Sequence, residues 1–179
     1  MIVGEMKSSI DNLWLRFHTG GVSNPIEVIK QITYLLFIKR LDDLEIAKER
    51  QFNITGKPIT DPIFDKSEQE LRWSNFKNLE AGAMFELVRT KVFDFMKTLG
   101  GEDSAFTKYM KNAYLAIPTP VVLEQVVSMI SAIPMEDMDT KGDVYEYMLS
   151  KLSTSGDNGQ FRTPRHITKL MARDRKSVV

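Results

Sequence analysis

Three times along this chain of 179 residues, a polar residue is followed by proline and then by apolar residues at helical spacing. The three pairs are Asn24–Pro25, Thr119–Pro120 and Thr163–Pro164. A side-chain oxygen at such a position accepts hydrogen bonds from the first free N–H groups of a helix. Proline suits the next position, because the N–H that it lacks would have no partner inside the helix. The chain is therefore expected to fold as a series of helices with fixed starting points.

The spacing of apolar residues agrees with these starts, because they recur three and four positions apart, as on the buried face of a helix. After the first start they are Val28, Ile32, Leu35, Leu36, Ile38, Leu41 and Leu44, and after the second they are Val122, Leu123, Val126, Val127, Ile130 and Ile133. The stretch "KRLDDLEIAKER", residues 39–50, is expected to finish the first helix with a solvated charged face.

Further helices are predicted between these starts. Ser8 or Ser9 is expected to cap a short helix, and Ser67 another that runs through Leu71 to Phe76. Residues 82–99 are apolar over more than half of a helix surface, which indicates a central, buried element. Shorter helices are predicted near residues 106–114 and 144–152, the second with an inward face of Val144, Tyr145, Met148, Leu149 and Leu152. Residues 51–66 are rich in turn formers and favour a loop with one extended piece.

These elements predict an all-α fold, an irregular helical bundle. Residues 1–155 form one helical N-terminal domain in this interpretation, and residues 156–179 form a junction beyond it. There is no internal repeat and no tract of low complexity.

Composition excludes several classes of function. Lysine plus arginine and aspartate plus glutamate number 24 each, so the formal net charge is +0, which argues against a free-standing, nonspecific DNA-binding protein. The chain has no cysteine, and its two histidines, His18 and His166, lie far apart, so no metal site is expected. Neither a secretion signal nor an apolar run of about 18 residues is present, and the expectation is a soluble cytoplasmic protein without a membrane partner.

The third helix start lies in "GDNGQFRTPRHITKLM", residues 156–171, and it carries an unusual group of side chains. A helix N-terminus favours anions, and Arg162 and Arg165 lie at that same end. Gln160 adds an amide, and Phe161 offers a ring for stacking. The residues alone thus indicate a helix start that could bind an anion and a ring. From spacing alone, an ordinary capped helix after a Gly/Asn loop is the favoured interpretation.

The same stretch carries a family resemblance. "GDVYEYMLSKLSTSGDNGQFRTPRHITKLM", residues 142–171, strongly resembles the modification (M) subunit of type I restriction–modification systems, an N6-adenine DNA methyltransferase. "LWLRFHTGGVSNPIEVIKQITYLLFIKRLDD" and "RWSNFKNL" are similar to the helical N-terminal domain of that family. The resemblance covers about residues 10–171, and "GQFRTPRHI" is its most specific part.

The resemblance implies a cofactor and partners. The family uses S-adenosylmethionine, and the matching positions that contribute to its pocket are Gln160, Phe161, Arg162, Thr163, Pro164 and Arg165. The residues expected to contact DNA are Arg162, Arg165, Lys169 and Arg173. The implied partners are double-stranded DNA, the specificity (S) subunit, a second M subunit and, in the full complex, the restriction (R) subunit.

The chain also departs from the family. The glycine-rich "DP-CG-G" cofactor loop and the "NPPF" motif of its Rossmann-like catalytic domain do not occur, and the sequence stops resembling the family after about Met171. Because methylating a flipped adenine needs both a donor pocket and a base pocket, the chain is expected to have no catalytic residues of its own. It is also expected not to bind the cofactor measurably by itself. The alternative is a noncatalytic helical module that docks DNA or a protein partner.

Overall fold

The structure, a computed structural model, describes residues 4–99, 105–133 and 138–155, and these residues form helices and connections without a strand. The α-helices are α1 (Glu5–Thr19), α2 (Pro25–Thr55), α3 (Trp73–Phe76), α4 (Ala81–Leu87), α5 (Phe93–Thr98), α6 (Ala105–Met110), α7 (Pro120–Ser131) and α8 (Met138–Ser155). The predicted all-α fold is confirmed. None of the helices in these ranges is long and apolar enough to cross a membrane.

Two of the proline starts are confirmed. The Asn24 side chain accepts a hydrogen bond from the Ile26 N–H at 3.0 Å, and Pro25 is the first residue of α2. At α7 the Thr119 hydroxyl accepts from the Val122 N–H at 3.4 Å. The third start, at Thr163, lies outside the described residues.

The end of α2 corrects the predicted loop over residues 51–66. The helix continues to Thr55, and it ends where Gly56 takes a left-handed conformation with φ of 69°. The Gly56 N–H donates to the Phe52 carbonyl at 2.8 Å, which closes the last turn. Residues 51–55 are therefore helical, and residues 56–68 contain turns but no extended strand. The sequence prediction placed the boundary too early because it gave more weight to turn formers than to the glycine that ends the helix.

The predicted caps at Ser8, Ser9 and Ser67 are wrong. Helix α1 begins at Glu5, and the hydroxyls of Ser8 and Ser9 donate back to carbonyls one turn earlier, at 3.4 and 2.9 Å. The single helix expected after Ser67 is divided into a 3₁₀ turn, Gln69–Leu71, and α3, with Arg72 between them in an extended conformation.

The central buried element is confirmed and contains an irregularity. A π-helical segment, Val88–Val92, lies between α4 and α5, and the Phe93 N–H donates to the Val88 carbonyl five residues earlier. Val88, Val92 and Phe93 are all buried.

The core lies where α7 packs between α1 and α4 and where α2 packs against α3 and α8. Gly20 allows the close approach of α1 and α7, because a Cβ atom there would lie 2.7 Å from the Val122 Cγ1 atom. The Trp73 indole N–H donates to the Ser131 hydroxyl at 3.0 Å and links α3 to α7. Trp73 is buried, as expected of a core residue.

Candidate functional site at the end of α8

Helix α8 leads directly into the segment where the sequence predicts a cofactor site, and its last residue is Ser155. The predicted site residues lie outside the described residues and stay predictions: Gln160, Phe161, Arg162, Thr163, Pro164, Arg165, Lys169 and Arg173. The part of the site that the structure describes is therefore the attachment of α8 to the bundle.

The apolar side of α8 packs into the core. Val144 and Met148, one helical turn apart, are fully buried, in agreement with the predicted inward face. Tyr145 packs against the core and forms a side-chain hydrogen bond with Thr33 of α2. Burial raises the pKa of Tyr145, and the bond with Thr33 lowers it less than burial raises it, so the phenol is neutral near pH 7.

The polar side of α8 is fastened to α1 by a group that we call the Asp11 cluster: Lys7, Asp11, Tyr147 and Lys151. The Tyr147 hydroxyl donates to an Asp11 carboxylate oxygen at 2.6 Å, and the Lys151 Nζ atom lies 2.5 Å from the same oxygen. The Nζ atoms of Lys7 and Lys151 lie 5.7 and 5.1 Å from the centre of the Tyr147 ring. One carboxylate of α1 thus binds two consecutive turns of α8, while two ammonium groups lie near one ring.

The pKa values of the cluster reflect these contacts. Partial burial raises the pKa of Asp11, but the hydrogen bonds from Lys151 and Tyr147 together outweigh it, so the pKa lies below its ordinary value. The hydrogen bond to Asp11 raises the pKa of Lys151. Burial and the bond to Asp11 raise the pKa of Tyr147. Asp11 and Lys151 are therefore charged and Tyr147 is neutral over a wide range around pH 7.

Sequence analysis missed the Asp11 cluster. Tyr147 and Lys151 are four residues apart and so share one face of α8, which was the available signal. Asp11 lies 136 residues before Tyr147, and no local pattern connects the two. Only the packing of α8 on α1 brings them together.

A second ionic group, the Arg72 cluster, lies between α2 and the start of α3: Asp42, Glu49, Gln69 and Arg72. The Arg72 Nε atom donates to Asp42 at 2.6 Å. Its two terminal nitrogens reach Glu49 at 2.6 and 3.1 Å, and Gln69 accepts at 3.0 Å. The other Asp42 oxygen accepts from the Ser74 N–H at 2.7 Å. The hydrogen bonds that Arg72 donates to Glu49 and Asp42 raise its pKa above the ordinary value, so it is permanently charged.

These contacts correct the expectation of a solvated charged face at the end of α2. Asp42 is 1% exposed and Glu45 is 3% exposed. Glu45 accepts a hydrogen bond from the Ile63 N–H at 2.8 Å, whereas Asp43 pairs with Lys39 at 2.9 Å near the surface. The buried acids anchor the connection between α2 and α3, which folds back over the helix.

Neither cluster has the form of a metal site. Each carboxylate is matched by a cation or by backbone N–H groups, and no group of acids or histidines suited to a metal occurs among residues 4–99, 105–133 and 138–155. His18 lies in the last turn of α1 with its ring centre 5.9 Å from that of Trp14. The contacts of the described residues thus fasten α8 to α1 and to the core.

Two family models match the chain in succession. The model described as "HsdM N-terminal domain" matches residues 6–130, and the model described as "N-6 DNA Methylase" matches residues 136–177. The first covers most of the described bundle, and the second begins just before α8 and includes all of the predicted site residues.

A curated relative and two solved structures are similar to the chain. The type I restriction enzyme EcoEI methylase subunit of Escherichia coli is 26% identical over 161 residues, which is 84% of this chain and 32% of that protein. A chain from a structural study of assembly and conformational transition in the type I R-M system is 22% identical, with a TM-score of 0.65 over 91% of this chain and 34% of that one. The modification subunit assigned to a type I restriction enzyme of Vibrio vulnificus YJ016 is 19% identical, with a TM-score of 0.68 over 94% and 39% of the two chains. The chain thus spans about a third of the length of the curated relative.

Proposed function

We propose a role for this chain in a larger enzyme subunit. The chain belongs to the HsdM N-terminal domain family and is the N-terminal domain of a type I restriction–modification modification subunit. In that subunit, a DNA adenine-N6 methyltransferase, its role is to clamp DNA, to contact the other subunits and to form one edge of the S-adenosylmethionine pocket. The observation that carries the proposal is the order of the two matches. A helical domain passes directly into an N6-methylase segment within one chain.

The cofactor edge is formed by Gln160, Phe161, Arg162, Thr163, Pro164 and Arg165 in this proposal. S-adenosylmethionine carries a carboxylate and an adenine ring, which suit the arginines and the phenylalanine at a helix N-terminus. Helix α8 supports this edge from the N-terminal side, since its buried turns and the Asp11 cluster fix its direction against α1 and α2. Arg162, Arg165, Lys169 and Arg173 are the proposed DNA contacts.

The proposed partners are double-stranded DNA, the S subunit, a second M subunit and the R subunit. Methylation is a property of the longer subunit in this proposal, because the extruded adenine and the donor must meet in one closed pocket. The 179-residue chain alone is expected to show neither methyl transfer nor measurable binding of S-adenosylmethionine by calorimetry. Micromolar affinity for the cofactor would contradict the view that most of the pocket lies beyond this chain.

A chimera tests the proposal directly. In it, residues 1–171 replace the matching third of the Escherichia coli relative, and transfer of labelled methyl groups to DNA is measured with the S subunit present. We expect methylation by the chimera and a loss of about tenfold or more with Arg162→Ala or Phe161→Ala, since each removes a cofactor contact. A matched control, Lys57→Ala in the connection after α2, is expected to leave the rate unchanged. A noncatalytic docking module would give a folded chimera without methylation.

A further inference from the structure

The end of the bundle where α2 and α7 begin carries a concentration of exposed apolar and aromatic side chains. These are Ile26, Tyr109, Tyr114 and Val121, with exposures of 41%, 49%, 60% and 54%. Two of them are tyrosines from α6 and the connection that follows it. An exposed apolar patch with aromatic side chains is typical of a binding surface.

The connection after α6 is held firmly against α2. The buried Gln31 side chain donates to the Tyr114 carbonyl at 2.9 Å and accepts from the Ala116 N–H at 3.1 Å. Gly21 lies against Pro118, because a Cβ atom there would be 3.4 Å from the proline ring. These contacts fix the backbone at Tyr114 and in the residues that follow it.

A turn, in which the Ala113 N–H donates to the Met110 carbonyl at 2.8 Å, separates the two tyrosines. Burial, with smaller contributions from Tyr109, Glu27 and Tyr114, raises the pKa of Tyr34 of α2 to about 12. Met110 and Ala113, which lie between the two tyrosines in sequence, are buried. The exposed rings thus stand on either side of a short buried anchor.

Lysines alternate with these rings. Lys108 and Lys111 are exposed, and residues 105–119 contain no acidic residue. The nearby acid, Glu27, is half-buried, accepts from Gln31 at 2.9 Å and lies 3.6 Å from Lys30. Its charge is therefore matched by Lys30, and Lys108 and Lys111 add positive charge beside the tyrosines. We call Lys108, Tyr109, Lys111 and Tyr114 the tyrosine–lysine face.

We propose that the tyrosine–lysine face binds an unpaired strand of nucleic acid, with bases stacked on Tyr109 and Tyr114 and phosphates against Lys108 and Lys111. Aromatic rings interleaved with cations are the usual surface for single strands, because every base has a face to stack and every linkage a negative charge. Protein–protein interfaces are also enriched in tyrosine, but their centres are depleted of lysine. The inference deepens the proposed function, since extruding an adenine leaves bases unpaired.

Fluorescence anisotropy on the whole 179-residue chain tests this, with a labelled oligothymidine of about 20 nucleotides and a duplex of the same length. We expect the single strand to bind more tightly than the duplex. Tyr109→Ala and Tyr114→Ala should each weaken single-strand binding about fivefold or more. Tyr114→Phe should bind within about twofold of the natural chain, because it keeps the ring. The double variant Lys108→Ala, Lys111→Ala should make the slope of log affinity against log salt concentration shallower by about 1.4.

The chain offers a matched control at the opposite end of α2. Phe52 is 44% exposed, and the connection that follows α2 carries the exposed Lys57 and Lys66. Phe52→Ala and the Lys57→Ala, Lys66→Ala pair should leave single-strand binding within about twofold. Circular dichroism of every variant verifies that the helices are intact.

Several outcomes would overturn the inference. The first is that binding of the single strand is undetectable. The second is that Phe52→Ala and Tyr114→Ala weaken single-strand binding equally. The third is that the duplex binds more tightly than the single strand and that the tyrosine substitutions do not change its affinity. Self-association that depends on the tyrosines, without any effect on the oligonucleotide, would show a protein interface instead. The chimera separates the two proposals: methylation by the chimera with no role for the tyrosines removes this inference and leaves the proposed function standing.

Discussion

The Arg72 cluster and the Asp11 cluster use the same chemistry, a carboxylate held by a cation and a second donor, in two different environments. Asp42 is 1% exposed and shares its oxygens between Arg72 and a backbone N–H, whereas the side chains of Asp11 and Lys151 are 38% and 27% exposed. Water can replace any partner that Asp11 loses, but it cannot reach Asp42 in the same way. Burial, more than distance, decides how much each cluster contributes to folding.

The largest expected effect comes from removing the buried partner. Asp42→Ala leaves the Arg72 Nε–H and the Ser74 N–H without their buried partner, while Glu49 remains as a counter-charge for Arg72, so the free energy of unfolding should fall by about 2–4 kcal/mol. Asp43→Ala removes the neighbouring carboxylate, which pairs with Lys39 near the surface, and should cost about 0.5 kcal/mol. Urea denaturation of the two variants measures the contrast. Equal losses of unfolding free energy would mean that burial does not increase the contribution of Asp42 to stability.

A smaller loss is expected at the rim of the same cluster. Glu49 binds Arg72 through two oxygens, but its side chain is 43% exposed. Glu49→Gln keeps hydrogen-bonding atoms and removes the charge, and we expect a loss of about 1 kcal/mol, discounted for solvent screening. A double-mutant cycle with Arg72→Met measures the coupling energy. A coupling energy as large as that between Asp42 and Arg72 would refute the claim that the more buried ion pair contributes more to stability.

The Asp11 cluster should matter still less to stability. Asp11→Ala removes the common partner of Tyr147 and Lys151, and unfolding should become easier by about 1 kcal/mol or less, because water takes the vacated positions. Hydrogen exchange should show the consequence in α8, whose amides exchange faster while those of α7 do not change. Uniformly faster exchange would show that the cluster supports the whole bundle and not α8 alone.

The smallest effect is the pH dependence of the difference in unfolding free energy between the natural chain and Asp11→Ala. The folded pKa of Asp11 lies below its ordinary 3.8, so its contribution is complete above 3.8 and is lost as the pH falls through the folded value. Lys151 has a folded pKa above 10.5, so its contribution is complete below 10.5 and is lost as the pH rises through that higher value. The difference between the natural chain and Asp11→Ala should be constant from about pH 5 to 9 and shrink outside it. A stability difference that increases as the pH falls below 3.8 would contradict the lowered pKa of Asp11.

The same two clusters show what sequence could and could not predict. Helix starts at Asn24 and Thr119 followed from local chemistry, and so did the inward face of Val144 and Met148, because caps and periodicity act within a few residues. The burial of Asp42 was missed, since its partner Arg72 is 30 residues away and only the fold brings them together. The predicted cofactor residues 160–165 rest on the family resemblance, whereas the anchor that positions them was visible only once α8 lay against α1.

The π-helical segment Val88–Val92 also bears on how relatives should be aligned with this chain. One widened turn accommodates the equivalent of a single added residue, and the faces of α4 and α5 keep their directions on either side of it. A relative with a regular helix here should therefore align with a one-residue gap inside the element and with no shift of the buried positions around it. An alignment that forbids gaps within helices would move Phe93 and Met96 out of register, and the error would continue toward α6.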